Sequence, residues 1–404
     1  MEPNHKLKYE REKRGWSQAY VARKIGTSAD LISKWERGLR GVGMQHRQAL
    51  CDLFNRNAEE LGFIQPITSL IKELGNEASL DKDDPMNKGR RQLLQQALTL
   101  LCSGGLATPN HISIPTDLYI TLSDTALREC WHQINNNTSQ ASEILSVIAP
   151  MLINMALEPS PYQQQLASIA TKTLLLRVIA ATHKANYIAR ELFNHEAIQC
   201  SRLSNDHLLQ AAALTYMGWT YLVCPPVRPE KAIEVAKEAL TANRSEKTNI
   251  ASNCHAIMAE AYSYLGADYK QTALRHMGLA QESYANTTDV LDYADCTPYT
   301  LHHNAAMAYL HLGDPKTAIQ QLDKSLLQNA TPRGQCGSLL YIADAACKIN
   351  DYDLFKTRFI QGIELVETIH SDHRKALAKQ IANRAPKDWL RDDELQKAIT
   401  KLHV

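Results

Sequence analysis

Three observations predict an all-α chain. Its 404 residues include only 17 Gly and 15 Pro, too few turn formers for a protein of many strands. Apolar residues recur at helical spacing along most of the sequence. Several stretches of the second half also repeat a single helix–turn–helix pattern. These imply a five-helix N-terminal head at residues 1–63, a helix and polar linker at 64–90, and a helical-repeat body at 91–404.

The composition is that of an ordinary soluble chain, 22% charged and 44% hydrophobic. With 44 Lys plus Arg against 43 Asp plus Glu, a globally basic coat protein is excluded, but a local basic patch is not. Residues 1–62 carry twelve Lys/Arg and eight acids, or +4, and the remainder carries −3. A basic head on a faintly acidic body points to a polyanion as the head's partner. The nine cysteines are odd in number and scattered without CxxC spacing, as expected for free core thiols in a reducing compartment. Met1 to Lys8 is polar and has no signal-peptide pattern. The most apolar stretch, Ile144 to Leu157, is interrupted and too short to span a bilayer. A cytoplasmic protein with no membrane partner is the expectation.

In the head, Leu7 to Lys13 reads as a first helix closed by Gly15. Ser17 can cap a second, Gln18 to Lys24, because its hydroxyl satisfies an orphan backbone N–H. Gly26 stops that helix, and Ser28 caps a third that runs to about Arg37. After a Gly-rich loop (Gly38, Gly41, Gly43), a fourth helix is expected over Gln45 to Asn55 and a short fifth from Asn57. Counting Gln18 as first, Val21 and Ala22 stand fourth and fifth, Ile25 eighth, Gly26 ninth, Ile32 fifteenth and Trp35 eighteenth. Two helices crossing steeply through a tight turn need those residue types: small Ala22 for close approach, Gly26 for positive φ, and apolar groups for the wedge.

On these residues the stretch SQAYVARKIGTSADLISKWERG resembles the Cro/repressor-type (XRE) helix-turn-helix family, over about residues 5–62. The resemblance implies double-stranded DNA as partner. Carried over, Gln18 would bond a phosphate. Ser28, Ala29, Asp30, Ser33 and Lys34 would look into the major groove, with Ala29 toward a thymine methyl, Asp30 toward cytosine N4 and Lys34 toward guanine. Arg11, Arg14, Arg37 and Arg40, with Lys13, Arg23 and Arg47, are candidate phosphate contacts. The groove-facing five contain no Gln, Asn or Arg, and Asp30 would be repelled by phosphates. Shape and spacing would then contribute much of the readout.

Ile64, Ile67, Leu70, Ile71 and Leu74 form one apolar stripe on a short junction helix. Residues 75–90, GNEASLDKDDPMNKGR, read as the linker. In the body, helices are expected over Arg91 to Ser103, Thr125 to Asn135 and Ser139 to Leu157, with a loop at 104–117. Residues 304–326 give the clearest repeated unit: a helix ending in Ala308-Tyr309, a Gly313-Asp314 turn, and a helix entered by Ala318. Residues 256–280 and 212–240 repeat it, 338–363 is degenerate, and 174–198 is weaker. These units resemble tetratricopeptide repeats, although equivalent positions (Ala181, Tyr221, Tyr262, Tyr309, Ala346) lie 40, 41, 47 and 37 residues apart against a family period of about 34.

That resemblance implies a curved superhelix whose concave face is lined by the first helix of each pair. Mapped by the tyrosines, it nominates Thr215, Trp219, Asn253, Glu260, Tyr264, His303, Met307, His311, Asp344 and Lys348, with Asn304 and His183 marginal. Such a mixture suits an extended peptide, because amides bond its backbone and aromatics grip its side chains.

No phosphate-loop, HExxH, GxSxG or strand-borne GxGxxG motif occurs, so no enzyme, cofactor or metal is expected. Head and body together resemble bacterial regulators that couple an XRE head to a tetratricopeptide sensor, including the peptide-pheromone receptors called RRNPP. The implied function is a homodimeric transcription regulator that senses a ligand, a signalling peptide by this resemblance. An adaptor that docks partner proteins, or a regulator sensing a small molecule or protein, remains open.

Overall fold

The computed structural model describes residues 3–40, 42, 44–56, 61–62, 116–134, 138–244, 246–328 and 331–402. The chain divides into two compact units, 1–102 and 103–404. The expected start of the fifth head helix, the junction helix, the linker and the 91–103 helix fall outside the described residues.

The head contains α1 (His5–Lys13), α2 (Gln18–Lys24), α3 (Ala29–Glu36) and α4 (Met44–Phe54). Asn4 caps α1, accepting from Leu7 N at 3.0 Å, and its amide reaches Leu61 O at 2.9 Å, tying the two ends of the head. Ser17 and Ser28 cap α2 and α3 as their sequence positions require. Gly26, at φ +72°, makes the left-handed turn between them. Leu7, Val21, Ala22, Ile32, Trp35, Leu50, Phe54 and Leu61 close the core. Ile25 is half-buried against it.

The body begins with α5 (Thr116–Gln133) and α6 (Thr138–Leu157). Residues 116–117, expected in a loop, open α5, which starts well before Thr125. Ser123, Ala126, Leu127 and Cys130 are buried at three- and four-residue spacing, so the buried stripe reaches further back than the apolar residues alone suggest. Six antiparallel pairs follow: α7 (Gln163–His183) with α8 (Tyr187–Leu203), α9 (His207–Val223) with α10 (Pro229–Ala242), and α11 (Asn249–Tyr264) with α12 (Lys270–Ala285). Next come α13 (Pro298–His311) with α14 (Pro315–Leu326), α15 (Pro332–Ile349) with α16 (Tyr352–Ile369), and α17 (Asp372–Arg384) with α18 (Asp393–Lys401). Among the described residues there is no strand, only an isolated bridge between Thr248 and Asp289. The fold is all-α, a helix-turn-helix head and a helical-repeat body.

Small residues bring the pairs together. A Cβ on Gly218 would lie 3.1 Å from Ile257 side-chain carbons, so the Ile257 side chain of α11 packs directly on the α9 backbone there. Ala232, Ala236, Ala239, Ala261, Ala273 and Ala318 are fully buried at comparable positions. The described cysteines are free thiols, most of them buried, with Cys102 outside the described residues. Among the described residues no helix is long and apolar enough to cross a membrane, and no cluster could hold a metal ion.

Candidate functional sites: the head surface and the body chamber

In the head, the charge pattern resolves into two groups. Arg11 is buried (8% exposed) and grips Glu36 in a bidentate pair, Nε to Oε1 at 2.6 Å and Nη2 to Oε2 at 2.9 Å. Its Nη1 donates to Trp16 O at 2.9 Å. Gln18 Nε2 donates to the same Glu36 carboxylate at 2.8 Å. Charge-assisted paired bonds are short and directional, and this one locks α1, α2 and α3 together. Hydrogen bonding to Glu36 raises the Arg11 pKa further.

Arg11 is therefore a structural residue rather than a phosphate contact. Arg14 is similarly committed. It pairs with Glu10, donates to Phe54 O at 2.7 Å at the C-terminus of α4, and lies over the Trp16 and Phe54 rings. A terminal carbonyl of α4 thereby gains a cationic donor. Sequence alone counted both arginines as surface charge: the Arg11 partner, Glu36, lies on another helix, and the Glu10–Arg14 spacing does not show that Arg14 also reaches Phe54 O.

The remaining candidates stay at the surface. Ser28, Asp30, Arg37 and Arg40 are exposed, and Ala29, Ser33 and Lys34 half-exposed. Asp30 and Lys34 pair across one turn of α3 at 2.7 Å, which holds the lysine beside the acid. Arg37 Nε reaches Ser33 O at 3.4 Å. Ser28 already accepts from Leu31 N at 3.2 Å as a helix cap.

In the body, the first helix of each of the six pairs contributes to one chamber of about 220 Å³. Of the residues nominated from sequence, Trp219, Asn253, Glu260, His303 and Met307 line it, as do the marginal Asn304 and His183. Thr215 does not. It is fully buried, its hydroxyl donating to Ala212 O at 2.7 Å, and its neighbour Tyr216 faces the chamber instead. One residue on a helix is about 100° of rotation, enough to exchange the faces.

Tyr264, His311, Asp344 and Lys348 also lie outside the lining. Tyr264 and His311 rings meet at 3.8 Å between centroids. Asp344 is held by Arg384 at 2.8 Å and Lys348 at 3.6 Å, which joins α15 to α17. Nor is the Asn253 amide available for a ligand backbone. Its Oδ1 accepts from Trp219 Nε1 at 2.8 Å, and its Nδ2 donates to Ala294 O at 2.8 Å. One turn earlier, Asn249 donates to Leu291 O and Cys296 O, both at 3.1 Å. These two amides pin the loop that presents Asp295, itself in the left-handed region at φ 46°.

Sequence reasoning missed the groups that dominate this chamber: Arg190, Arg333, Arg374, Asp295, Tyr299, Tyr341 and His373. Arg190 is 6% exposed and donates Nε to Thr220 Oγ1 at 2.9 Å and Nη1 to Thr182 Oγ1. Arg333 approaches Asp295 at 3.7 Å. Burial first, and neighbouring guanidiniums second, push His183, His303 and His373 down to about 2, 3 and 3, so all three are neutral near pH 7. Burial alone pushes the Glu260 carboxyl up to about 8.

The two ends of the repeat array touch across this space. His183 Nδ1 and Ser371 Oγ are 3.0 Å apart, and the Tyr187 hydroxyl and His373 Nδ1 are 3.0 Å apart. A concave inner face was expected; these contacts bring the ends of the array together beside it, while the chamber stays partly open to solvent at Asp295.

Residues 7–61 match the family model described as "Helix-turn-helix". No curated protein matches the chain. Among solved structures, it is similar to a Rap protein complexed with competence and sporulation factor, at 13% identity over 78% of this chain and 87% of that one, with a TM-score of 0.47. It is also similar to PlcR of Bacillus thuringiensis in complex with the peptide PapR7 and DNA, at 12% identity over 98% of this chain and 96% of that one, with a TM-score of 0.23. By sequence match and by its Gly26 turn, interlocked α2 and α3 and shared core, the head is a helix-turn-helix domain of the XRE type.

Proposed function

We propose that the chain is a sequence-specific DNA-binding transcription regulator whose body senses a ligand in the chamber. One observation carries the first half. The N-terminal face of α3 (Ser28, Ala29, Asp30, Ser33, Lys34) stays open to solvent while Ile32 and Trp35 on its other face fix it to the head core. A short rigid helix with small and polar residues on its open face suits a major groove. Arg37 and Arg40 follow directly and supply charge for the flanking phosphates. Two such heads, brought together as a homodimer, would read a palindromic operator with half-sites about one DNA turn apart.

For the second half, the chamber favours a compact ligand over the extended signalling peptide that the resemblance implies. An extended peptide needs room along a groove, and the contacts of His183 with Ser371 and of Tyr187 with His373 narrow this one beside a space of about 220 Å³. Ligand binding changes DNA affinity only to the extent that it favours one state of the body over another.

Selection of bound fragments from random duplex DNA tests the reading. The expected result is an enriched inverted repeat, bound more tightly than random duplex and with affinity falling steeply as salt rises. Arg40→Ala is expected to flatten the salt slope by about 0.9 if it removes one phosphate contact. Flat, sequence-independent binding would leave the head as a docking module and refute the proposal.

A further inference from the structure

We propose that the body chamber binds a compact dianion, a phosphomonoester or a dicarboxylate, seated between Arg190, Arg333 and Arg374. This deepens the sensor reading above and rests on it for the regulatory consequence only.

The charge count is the first argument. Three guanidiniums line the chamber, and among the described residues Asp295 is the one carboxylate paired with any of them. Arg190 donates to threonine hydroxyls, and neither Arg190 nor Arg374 pairs with a carboxylate among the described residues. Glu260, the other acid in the lining, is in no ion pair among the described residues, and burial favours its neutral form. Arg190 is buried and Arg333 and Arg374 are half-buried, and charges drawn out of water favour counter-charges, since an unpaired one loses hydration without compensation. A ligand with two negative charges would restore the balance.

Donor geometry is the second. Arg333 Nη1 and Arg374 Nε are buried with no hydrogen-bond partner, although buried donors are nearly always satisfied. Guanidinium forks match the oxygens of carboxylate and phosphate.

The third is that the seat is built for these groups. A Cβ on Gly337 would stand 2.6 Å from Arg374 Nη2, and one on Gly334 would stand 2.4 Å from Tyr299 Cζ. Both glycines sit on α15, three residues apart, where glycine costs helix stability without any φ requirement. Their absent side chains leave the space that the arginine and the tyrosine occupy. Finally, about 220 Å³ lies below the 300–1,000 Å³ usual for drug-sized ligands, and so suits a small anion.

Arg190 comes from the first helix pair, Arg333 from the fifth and Arg374 from the sixth. A ligand touching all three would bridge the start and the end of the array, beside the contacts that close it. Occupancy is thereby tied to closure.

The test is calorimetry and thermal melting of the full chain at constant ionic strength in chloride, with inorganic phosphate, glycerol 3-phosphate, succinate, acetate and glycerol as separate additions. Saturable binding of one or more dianions, with acetate and glycerol inactive, is expected. Preference for the phosphates identifies a phosphomonoester site, and preference for succinate a dicarboxylate site. Arg374→Gln should weaken binding about 10- to 100-fold, as for loss of charged hydrogen bonds. Gly337→Ala should weaken it comparably while leaving every charge in place, and circular dichroism of both variants establishes that they are folded. Absence of saturable dianion binding to the wild type overturns the proposal, as does equal binding by wild type and both folded variants. Operator binding measured without added anion reports on the head separately. Its loss alongside intact dianion binding sinks the regulator reading and leaves the chamber assignment standing.

Discussion

Glu260→Gln isolates one buried proton. The side chain is 7% exposed on α11, and burial pushes its carboxyl from 4.5 up to about 8. At neutral pH it is therefore mostly a neutral acid, which glutamine imitates in shape and polarity. Because the folded-state pKa lies above the unfolded one, the stability it contributes is fully present below about pH 4.5. That contribution is lost progressively as pH rises through about 8. At 1.36 kcal/mol per pKa unit, full ionisation costs the wild type about 5 kcal/mol.

The variant carries no such group, so the two proteins should melt together at pH 5 and separate as pH rises. At about 2 °C per kcal/mol for a domain of this size, the variant's advantage at pH 9 approaches about 10 °C. Histidines titrate alike in both chains, so the difference between the two melting curves removes them. Circular dichroism melts at pH 5, 7 and 9 make the comparison. Parallel curves across that range would mean that Glu260 is solvated or paired, and would refute the account of its burial.

Other perturbations have equally definite outcomes. Glu36→Ala strips the buried partner from Arg11 and should destabilise the head by about 3–5 kcal/mol, seen in urea as early unfolding of the head with the body transition unmoved. Gly334→Ala drives a methyl into the Tyr299 ring, and about 1–3 kcal/mol of body stability should go with it, measured by the shift in the body's melting temperature. His183, His303 and His373 have folded-state pKa values pushed far below 6.5. Their contribution is present above about pH 6.5 and lost as pH falls toward 3, so the melting temperature of the body should drop below pH 6, and an acid-insensitive melt would contradict their burial. Asp30→Ala removes a carboxylate from the face of α3 and frees Lys34, so affinity for any duplex should rise in a filter-binding titration.

Much of the head was legible because its constraints are local. Ser17 and Ser28 cap, Gly26 turns, and Val21, Ala22, Ile32 and Trp35 fall inside at helical intervals, so one short stretch specifies the motif. Arg11 was not legible as a core residue, because a basic residue on a polar helix reads as solvated until its distant partner, Glu36, is known. The body's repeats were visible through Ala, Gly and Tyr at recurring places. Its irregular period blurred the rotation of each helix, which put Thr215 where Tyr216 belongs. The chamber's arginines were hidden for a different reason. Arg190 stands on a second helix, and Arg333 and Arg374 sit within the first turns of theirs, away from the positions that the repeat rule inspects. The sequence did carry one clue in PRGQCG: two glycines three apart inside a helix, where neither a turn nor a cap needs them.

An array of helix pairs that contact only their neighbours behaves like a spring, stretching a little at every joint. Once His183 meets Ser371 and Tyr187 meets His373, the last pair lies against the first, the array becomes a hoop, and strain introduced at one joint must be taken up around the whole circuit. Such a body has two natural conditions, fastened and unfastened, in place of a continuum of curvatures. Any signal it transmits would then be carried by the fastening rather than by gradual flexing.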